Sequence, residues 1–578
     1  MLVTRTLPAP RPARLGLSWV DAVLLAGLAA LVAGMVALAH RWEAPLRSTV
    51  EIDLSLRALP KYTLLSLARG VAAYILSLIF TLIYGTVAAH SRPAERIMIP
   101  ILDILQGIPV LGFLPGLVLG MVALFPHSNV GLELACIVMI FTGQVWNMTF
   151  SFYGSLRSIP TELREAALVY RFDWWKRFRT LEVPSAMIGL VWNSMMSMAG
   201  GWFFLTVNEA FTLGKHDFRL PGIGAYMSVA IERGDPRAMA GAVVAMMTMI
   251  VAVDQLVWRP ALAWAQKFKV EETEAAEVPT SWVLNLLRRS RLLPWIEQRV
   301  GDVAARLEAR RGAPAAAPAL AVDQLWRAYA PRVVGGVLAA AALALTAWGV
   351  LHLLTLLAAL HAGDWLQVAV ALLFTFLRTS AALALGALWA VPAGIWIGLA
   401  PRRVRVLQPL IQVAAAFPAP MLFPLVTLAI LGAGVPFSWG CVALMLLGSQ
   451  WYILFNVLAG ASAVPQDLRE AAEVYGLGRW ARWRIVYLPA VFPHLVTGLI
   501  TAAGGAWNAS IVAEYVRYRD TTLIAPGLGS LITQATAAAN FPLLAAGVLT
   551  MSFALVMLNR LVWHRLYQLA DRRYSLNR

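Results

Sequence analysis

The sequence predicts an all-α polytopic membrane protein built from two parallel six-helix repeats, with about 12 transmembrane helices in total. The first observation is composition, because 60% of the 578 residues are hydrophobic and 13% are charged. Soluble proteins keep roughly a quarter of their residues charged. The second observation is a series of apolar runs of about 20 residues, the length that a helix needs to cross a bilayer. The third is an internal repeat that covers both halves of the chain.

Six apolar runs make up the first half, at about 17–39, 62–89, 98–125, 130–152, 184–207 and 239–264. Arg5, Arg11 and Arg14 precede the first run, as in a signal peptide, but the run is longer than a signal-peptide core. We therefore expect it to remain in the protein as a span. Pro109 and Pro115 break the third run, which is tolerated where neighbouring helices or a water-lined path satisfy the backbone.

A polar segment at 266–324 separates the halves and differs from them in composition. It combines an acidic cluster, basic amphipathic helices within 282–311 and an Ala/Pro-rich tether at 311–318. We expect a cytosolic linker without catalytic residues. Six further apolar runs then follow, at about 333–359, 368–399, 406–431, 437–459, 491–512 and 543–563. The predicted division is a first transmembrane repeat at 1–265, the linker at 266–324 and a second repeat at 325–578.

The repeat can be followed residue by residue. From Trp146 onward the two halves match at a separation of 305 residues, and upstream of Pro115 the separation is 309. A four-residue difference in length between these two positions accounts for the change. Matched pairs include Arg69 with Arg378, Pro109 with Pro418, Cys136 with Cys441, Glu209 with Glu514, and Pro221–Gly222 with Pro526–Gly527. The cysteines fall within spans and are interpreted as small buried hydrophobic residues.

Arginine and lysine set the orientation, because short loops rich in these residues stay in the cytoplasm. With six spans per half, the basic loops, both polar segments between the fourth and fifth spans, and both termini fall on one side. The loops at about 126–130 and 432–436 carry neither arginine nor lysine and fall on the other. This distribution also explains the net charge of +16 without a basic face, so no nucleic-acid partner is expected.

A charged, helix-forming motif occurs once in each of those polar segments, which we call the first knob (158–182) and the second knob (463–487). The motif is Arg164–Tyr170 in the first knob and Arg469–Gly476 in the second. A proline precedes each copy, and Gly476 stands where a left-handed helix cap favours glycine. The pattern predicts helix, tight turn, second helix and return to the membrane. Two such knobs fit two equivalent sockets on a symmetric soluble partner.

The knob motif resembles the coupling loop of binding-protein-dependent ABC importer permeases. The second copy matches throughout, at Glu470, Ala471, Ala472, Gly476, Leu488, Pro489 and Pro493. The first copy keeps Glu165, Ala166, Ala167 and Pro184, but has Arg171 for the glycine, Val183 for the leucine and Ile188 for the last proline. An arginine is unfavourable where positive φ is needed, so we expect the two knobs to dock unequally.

The branch of the family is indicated by two further stretches. The Pro-Gly-Leu-Gly segment at 526–529 and the ending at 559–563 are similar to the nitrate/sulfonate/taurine branch, and the tandem form resembles the duplicated permease of anion importers. The resemblance implies a type I ABC importer fold, a small-anion substrate and a bacterial or archaeal cytoplasmic membrane. It also implies two copies of a cytosolic ABC ATPase and a soluble or lipid-anchored substrate-binding protein. The implied coupling residues are Glu165, Ala166, Ala167, Tyr170, Arg171, Pro184, Glu470, Ala471, Ala472, Tyr475, Gly476 and Pro489.

ATP hydrolysis is expected in the partner, with its ATP and Mg²⁺, because the sequence contains no Gly-x-x-x-x-Gly-Lys-Ser/Thr motif. No catalytic residue, metal site or cofactor is expected in this chain. A secondary transporter with six-plus-six parallel repeats is the alternative, but it gives no reason for two knobs. A membrane-embedded enzyme ranks third, since no clustered His, Cys or carboxylate set supports it.

Four charged residues are candidates for the transport pathway. Arg69 and Arg378 stand at the outer ends of equivalent spans, and Glu209 and Glu514 stand where two later spans end. The arginines either reach the lipid headgroups or attract an anion by electrostatic focusing. If each arginine pairs with the glutamate of its own half, a structural latch replaces the anion-attracting role.

Overall fold

The computed structural model describes residues 50–213, 216–268, 281–289, 346–518 and 521–574, with a few single positions at 21–22, 299, 340 and 343–344. Nearly all of the predicted span at 17–39 lies outside the described residues. The same holds for most of the predicted linker, of which the helix Trp282–Leu287 is described, and for the first part of the predicted run at 333–359. The predicted domain boundaries therefore stay predictions.

Eleven helices and two strands are described in the first half and its linker. The α-helices are α1 Leu59–His90, α2 Arg92–Gly107, α3 Leu114–Leu124, α4 Val130–Arg157, α5 Thr161–Val169, α6 Trp174–Arg177, α7 Val183–Asn208, α8 Ile223–Arg233, α9 Pro236–Val253, α10 Arg259–Ala265 and α11 Trp282–Leu287. Shorter 3-10 or π segments are Val110–Phe113, Phe178–Glu182, Asp254–Trp258 and Gln266–Phe268. The strands are β1 Ala210–Leu213 and β2 His216–Arg219.

The second half repeats this order. Its α-helices are α12 Thr346–Ala358, α13 Ala362–Gly398, α14 Pro401–Ala416, α15 Phe423–Gly432, α16 Phe437–Ser462, α17 Gln466–Val474, α18 Arg479–Arg482, α19 Leu488–Ala513, α20 Leu528–Ala537, α21 Phe541–Leu558 and α22 His564–Tyr574. The 3-10 or π segments are Ala419–Leu422, Trp483–Tyr487 and Asn559–Trp563. The strands are β3 Tyr515–Tyr518 and β4 Thr521–Ile524.

The described part of the chain holds seven helices long and apolar enough to cross a membrane, or nine if each bent helix pair counts as one span. The predicted helical, polytopic architecture is confirmed. The figure of twelve spans stays a prediction, because two of the predicted spans lie largely or partly outside the described residues. In addition, α7, the predicted fifth span, is not among the nine.

The predicted third span of each half is sharply bent. Helices α2 and α3 meet at 87°, and their counterparts α14 and α15 meet at 81°. Ile108, which precedes Pro109, has the extended backbone that a following proline favours, with φ −83° and ψ 131°. Pro109 therefore ends α2, whereas Pro115 lies in the first turn of α3, where a proline is tolerated.

The predicted polar loop between the fifth and sixth spans is structured, and it adds a short hairpin to each half of the predicted helical fold. Each half has an antiparallel hairpin there, with Ala210 opposite Arg219 in one and Tyr515 opposite Ile524 in the other. A short helix, α8 or α20, follows each hairpin. Four-residue strands are too short to produce a periodic pattern that distinguishes them from a loop.

The two halves pack in the same way and share one core. Helix α4 packs against α1 and α7, as α16 packs against α13 and α19. Small residues permit close crossings, since a Cβ at Gly394 would lie 2.7 Å from a methyl carbon of Val457. Across the centre, α7 contacts the 3-10 turn Ala419–Leu422, and α19 contacts the equivalent turn Val110–Phe113. The fifth span of each half thus packs on the broken span of the other.

Candidate functional site

Both knobs fold as helix, turn and helix. Helix α5 ends at a turn in which Arg171 has φ 50°, and α17 ends at a turn in which Gly476 has φ 63°. The Phe172 amide donates to the Ala167 carbonyl at 2.9 Å, and the Leu477 amide donates to the Ala472 carbonyl at 3.1 Å. This is the hydrogen-bond pattern of a left-handed helix cap. The turn predicted at Gly476 is present, and Arg171 adopts the same backbone despite its Cβ.

Replacing Gly476 with alanine is expected to destabilise its turn by about 1 kcal/mol, because a Cβ disfavours positive φ. Arg171→Gly should stabilise the first knob by a similar amount for the same reason. Native-state amide exchange measures both, at the peptides that contain Leu477 and Phe172. Protection from exchange should fall in Gly476→Ala and rise in Arg171→Gly. A change of the same sign in both variants would contradict the proposed cost of a Cβ at positive φ.

The tip of each knob exposes apolar side chains. Val169 and Tyr170 are 79% and 75% exposed, and Val474 and Tyr475 are 85% and 82% exposed. The second alanine of each motif faces inward, as Ala472 shows with 3% exposure. Contiguous exposed apolar side chains with a polar rim indicate a protein interaction site. Glu165 and Glu470 are exposed on the same helices, and the half-buried Pro184 and Pro489 begin the spans that follow.

Each knob helix is tied to the end of a span by an arginine. Arg164 donates to the Leu156 carbonyl at 2.7 Å, at the end of α4. Arg469 donates to the Ala461 carbonyl at 3.2 Å and to the Leu399 carbonyl at 2.9 Å. Sequence reasoning had assigned no role to these arginines, although both stand directly before the Glu-Ala-Ala motif. The contacts couple the position of each knob helix to the spans.

The first knob has an additional ion-pair cluster at its return to the membrane. Glu182 accepts from His90 at 2.8 Å and from Arg177 at 2.9 Å. Burial opposes ionisation of this carboxyl, but these two partners outweigh burial and hold the pKa of Glu182 below its usual value. The equivalent residue in the second knob is Tyr487. The two knobs are therefore held to the spans by different contacts.

The four predicted pathway residues form two buried clamps. In the first clamp Arg69 is fully buried and donates twice to Glu133, at 2.6 and 2.8 Å. It also donates to Glu209 at 2.7 Å and to the Pro221 carbonyl at 2.9 Å. Glu209 accepts further hydrogen bonds from the Ser66 hydroxyl and the Gly224 amide. The first clamp thus joins α1, α4 and the end of α7 to the start of α8.

The second clamp has one carboxylate instead of two. Arg378 donates to Glu514 at 3.0 Å and to the Pro526 carbonyl at 2.6 Å. It also donates a hydrogen bond to the backbone carbonyl of Ser438, the residue equivalent to Glu133. Glu514 also accepts from the Thr375 hydroxyl and the Gly529 amide.

The Pro-Gly-x-Gly segments fit these clamps for a steric reason. A Cβ at Gly222 would collide with the Glu209 carboxylate, and a Cβ at Gly527 would collide with that of Glu514. Both arginine–glutamate pairs therefore hold the loop that follows each hairpin. This geometry favours the structural latch over attraction of an anion.

A central cavity of about 790 Å³ lies between the halves. Residues of both halves line it, many of them aromatic, including Trp146, Trp451, Trp202, Phe203, Trp258, Trp563 and Tyr452. A hydrogen bond joins the halves at the cavity wall, where Asn508 of α19 accepts at 3.0 Å from the Val110 amide. None of the four clamp residues singled out by sequence belongs to the described residues that line this cavity.

A second, smaller cavity of about 270 Å³ lies on the hairpin side of that contact. Its lining includes Phe211 and Asp217 of the first hairpin and Tyr515 and Arg517 of the second. The broken-span turn separates the two spaces, since Val110 lines the central cavity and Leu111 lines the smaller one. The interface between the halves therefore has a cavity on either side of this turn. Within the described part of the chain, no group of three or more His, Cys, Asp or Glu residues is placed to hold a metal ion.

Comparison with known proteins agrees with this geometry. The family model for the binding-protein-dependent transport system inner membrane component matches twice, at residues 57–257 and 352–576. The chain is 29% identical to the nitrate import permease protein NrtB of Leptolyngbya laminosa over 137 residues, 24% of this chain and 48% of the relative. It is 29% identical over 139 residues both to the bicarbonate permease CmpB of Synechococcus elongatus and to the taurine permease TauC of Escherichia coli. Each of those matches covers 24% of this chain and 49% of the relative.

These matches span about half the length of each curated relative. The family model, by contrast, covers most of the chain and recurs in the second half. With at least seven candidate spans in the described residues, the protein is a multi-pass protein of the inner membrane. The chain belongs to the family of inner membrane components of binding-protein-dependent transport systems.

Proposed function

We propose that this chain is the permease subunit of an ATP-driven importer, with both halves of the transport pathway fused in one polypeptide. The observation that carries the proposal is the pair of equivalent knobs, each with an exposed Val-Tyr tip. Two copies of a cytosolic ABC ATPase, which bind ATP and Mg²⁺, dock on this chain, and each copy receives one knob. The secondary-transporter alternative is disfavoured, because it requires no docking surface for an ATPase.

The knobs are connected to the pathway through the spans. Arg164 fixes the first knob helix to the end of α4, and Trp146 of the same helix lines the central cavity. Arg469 fixes the second knob helix to α16, whose Trp451 lines the opposite part of the cavity. Closure of the ATPase dimer would shift both knobs, and the spans would carry that movement to the cavity walls. This is the physical basis that we propose for coupling.

The knob side of the protein is proposed to face the cytosol, together with both termini, in a bacterial or archaeal cytoplasmic membrane. The arginine-rich loops support this orientation. A soluble or lipid-anchored substrate-binding protein would then dock on the hairpin side, above the smaller cavity. A cysteine placed at Ser158 should resist an impermeant reagent added outside intact cells, and its labelling would contradict this topology.

The substrate is proposed to be a small anion, of the nitrate, sulfonate or taurine kind. Support comes from the relatives, whose names give nitrate, bicarbonate and taurine as their substrates. The buried clamps offer no free cation for attraction, because each guanidinium already has a carboxylate partner. Selectivity is therefore assigned to the binding protein and to the cavity, and not to Arg69 and Arg378.

Copurification tests the proposed function directly. The full chain, solubilised in mild detergent and carrying an affinity tag, should retain two copies of its cognate ATPase per chain. In vesicles, ATP hydrolysis by that ATPase should rise when the chain is present. A chain that is folded and monodisperse but binds no ATPase would contradict the proposal, and ATP-independent, ion-driven uptake would establish the secondary-transporter alternative.

A further inference from the structure

The central cavity is larger and more aromatic than a bare inorganic anion requires. Its volume of about 790 Å³ falls in the range of roughly 300–1,000 Å³ found for pockets that bind organic ligands. The faces of aromatic rings are electronegative, so they attract cations and apolar groups and give an anion little stabilisation.

Charged side chains are few in this cavity, and two of them are available to a ligand. Asp103 and Arg560 line it, are exposed and take part in no ion pair among the described residues. A third charged residue, Asp254, is already paired with Arg259 at 3.0 Å. Among the residues that the structure describes, the cavity thus offers one carboxylate and one guanidinium without an ion-pair partner.

This pair of charges occurs once, although the cavity is built from a repeat. The residue equivalent to Asp103 is Gln412, and the residue equivalent to Arg560 is Gln255. A cavity between two identical chains would carry each charge twice, in symmetric positions. In this chain the second pair of positions is neutral. The cavity therefore carries one charge of each sign without symmetric copies, which suits a ligand with a positive and a negative end.

We propose that the central cavity binds an organic zwitterion, with its amine directed to Asp103 and the aromatic walls and its acid group directed to Arg560. The proposal rests on the proposed import function and narrows its substrate class from small anions to amphoteric organic acids. Asp103 is the residue that would distinguish such a ligand from an anion without an amine, and Arg560 would hold the acid group that both carry.

Equilibrium dialysis of the solubilised full chain tests this, with radiolabelled taurine as the probe and ethanesulfonate and nitrate as competitors. Ethanesulfonate is taurine without the amine, so the difference in affinity measures recognition of that group. We expect taurine to bind at least about tenfold more tightly than ethanesulfonate, the value of one charge-assisted hydrogen bond. Nitrate should not displace it at equal concentration.

Variants assign the two ends of the ligand. Asp103→Asn should reduce the affinity for taurine to that for ethanesulfonate, whereas Arg560→Gln should weaken both ligands by a similar factor. The control is Asp364→Asn, which makes the same chemical change at the start of α13, outside the cavity. It should leave the affinity for taurine unchanged.

Three results would overturn the zwitterion proposal: no binding of taurine, equal affinity for ethanesulfonate, or an unchanged ratio of the two affinities in Asp103→Asn. The ATPase is absent from this measurement. Failure of copurification would therefore overturn the proposed function without affecting the dialysis, and failure of the dialysis would leave the importer assignment standing.

Discussion

Tyr475→Asp is expected to lower ATPase activation by the chain at least about tenfold, because a buried aromatic anchor is typically worth 2 kcal/mol or more at a protein interface. The side chain is 82% exposed in the free chain, so the substitution removes little intramolecular packing. Aspartate at the centre of an apolar contact would instead carry an unpaired charge into the interface. The measurement is ATP hydrolysis in vesicles as a function of ATPase concentration.

The first knob provides the matched variant. Tyr170→Asp removes the equivalent side chain, which is 75% exposed. The turn of this knob contains Arg171, and the Glu182 cluster holds its return to the membrane. We expect a loss of different size from the two variants, because the two turns and their attachments differ. Equal losses would contradict unequal docking, although they would leave the docking role itself intact.

Charge reversal at the motif glutamate separates docking from folding. Glu470 is exposed, and its one side-chain contact among the described residues is to Gln466 at 2.8 Å. Glu470→Lys should therefore preserve membrane insertion and the monodisperse profile while lowering ATPase activation. Unchanged activation by both Glu470→Lys and Tyr475→Asp would show that the second knob does not carry the coupling.

The knobs were predictable from sequence because their signals are local. Helix formers, a proline before the helix and Gly476 after it are read within one short stretch, and the repeat confirms that the stretch is no accident. The backbone of Arg171 was predictable only by transfer from its counterpart. An arginine by itself gives no indication of positive φ.

The clamps were partly predictable. Repeat matching selected the two arginine–glutamate pairs, since an intramembrane charge needs a partner. The sequence could not show that Glu133 joins the first clamp, because its counterpart is Ser438 and the repeat offers no match. Nor could it show the hairpins, whose strands have four residues each, or the central cavity, which forms from residues hundreds of positions apart.

Removal of the clamp carboxylates is expected to destabilise the two halves unequally. Glu514→Gln leaves the buried Arg378 with no carboxylate among the described residues around it. Breaking a buried ion pair in this way costs about 3–5 kcal/mol. Glu209→Gln leaves Arg69 its bidentate contact to Glu133, so the expected cost is the smaller value of one charged hydrogen bond, about 1.5–3 kcal/mol.

Heat-induced loss of the monodisperse chromatographic peak measures the relative stability of the two variants. We expect Glu514→Gln to lose this peak at a lower temperature than Glu209→Gln. Arg378→Lys then distinguishes a clamp from a site that attracts anions. Lysine keeps the positive charge but cannot reproduce the geometry by which the guanidinium reaches Glu514, Pro526 and Ser438 together. A clamp predicts that Arg378→Lys is destabilised nearly as much as Arg378→Gln and that uptake falls with the folded fraction. Normal stability of the lysine variant, with uptake lost only in the glutamine variant, would restore the anion-attracting role.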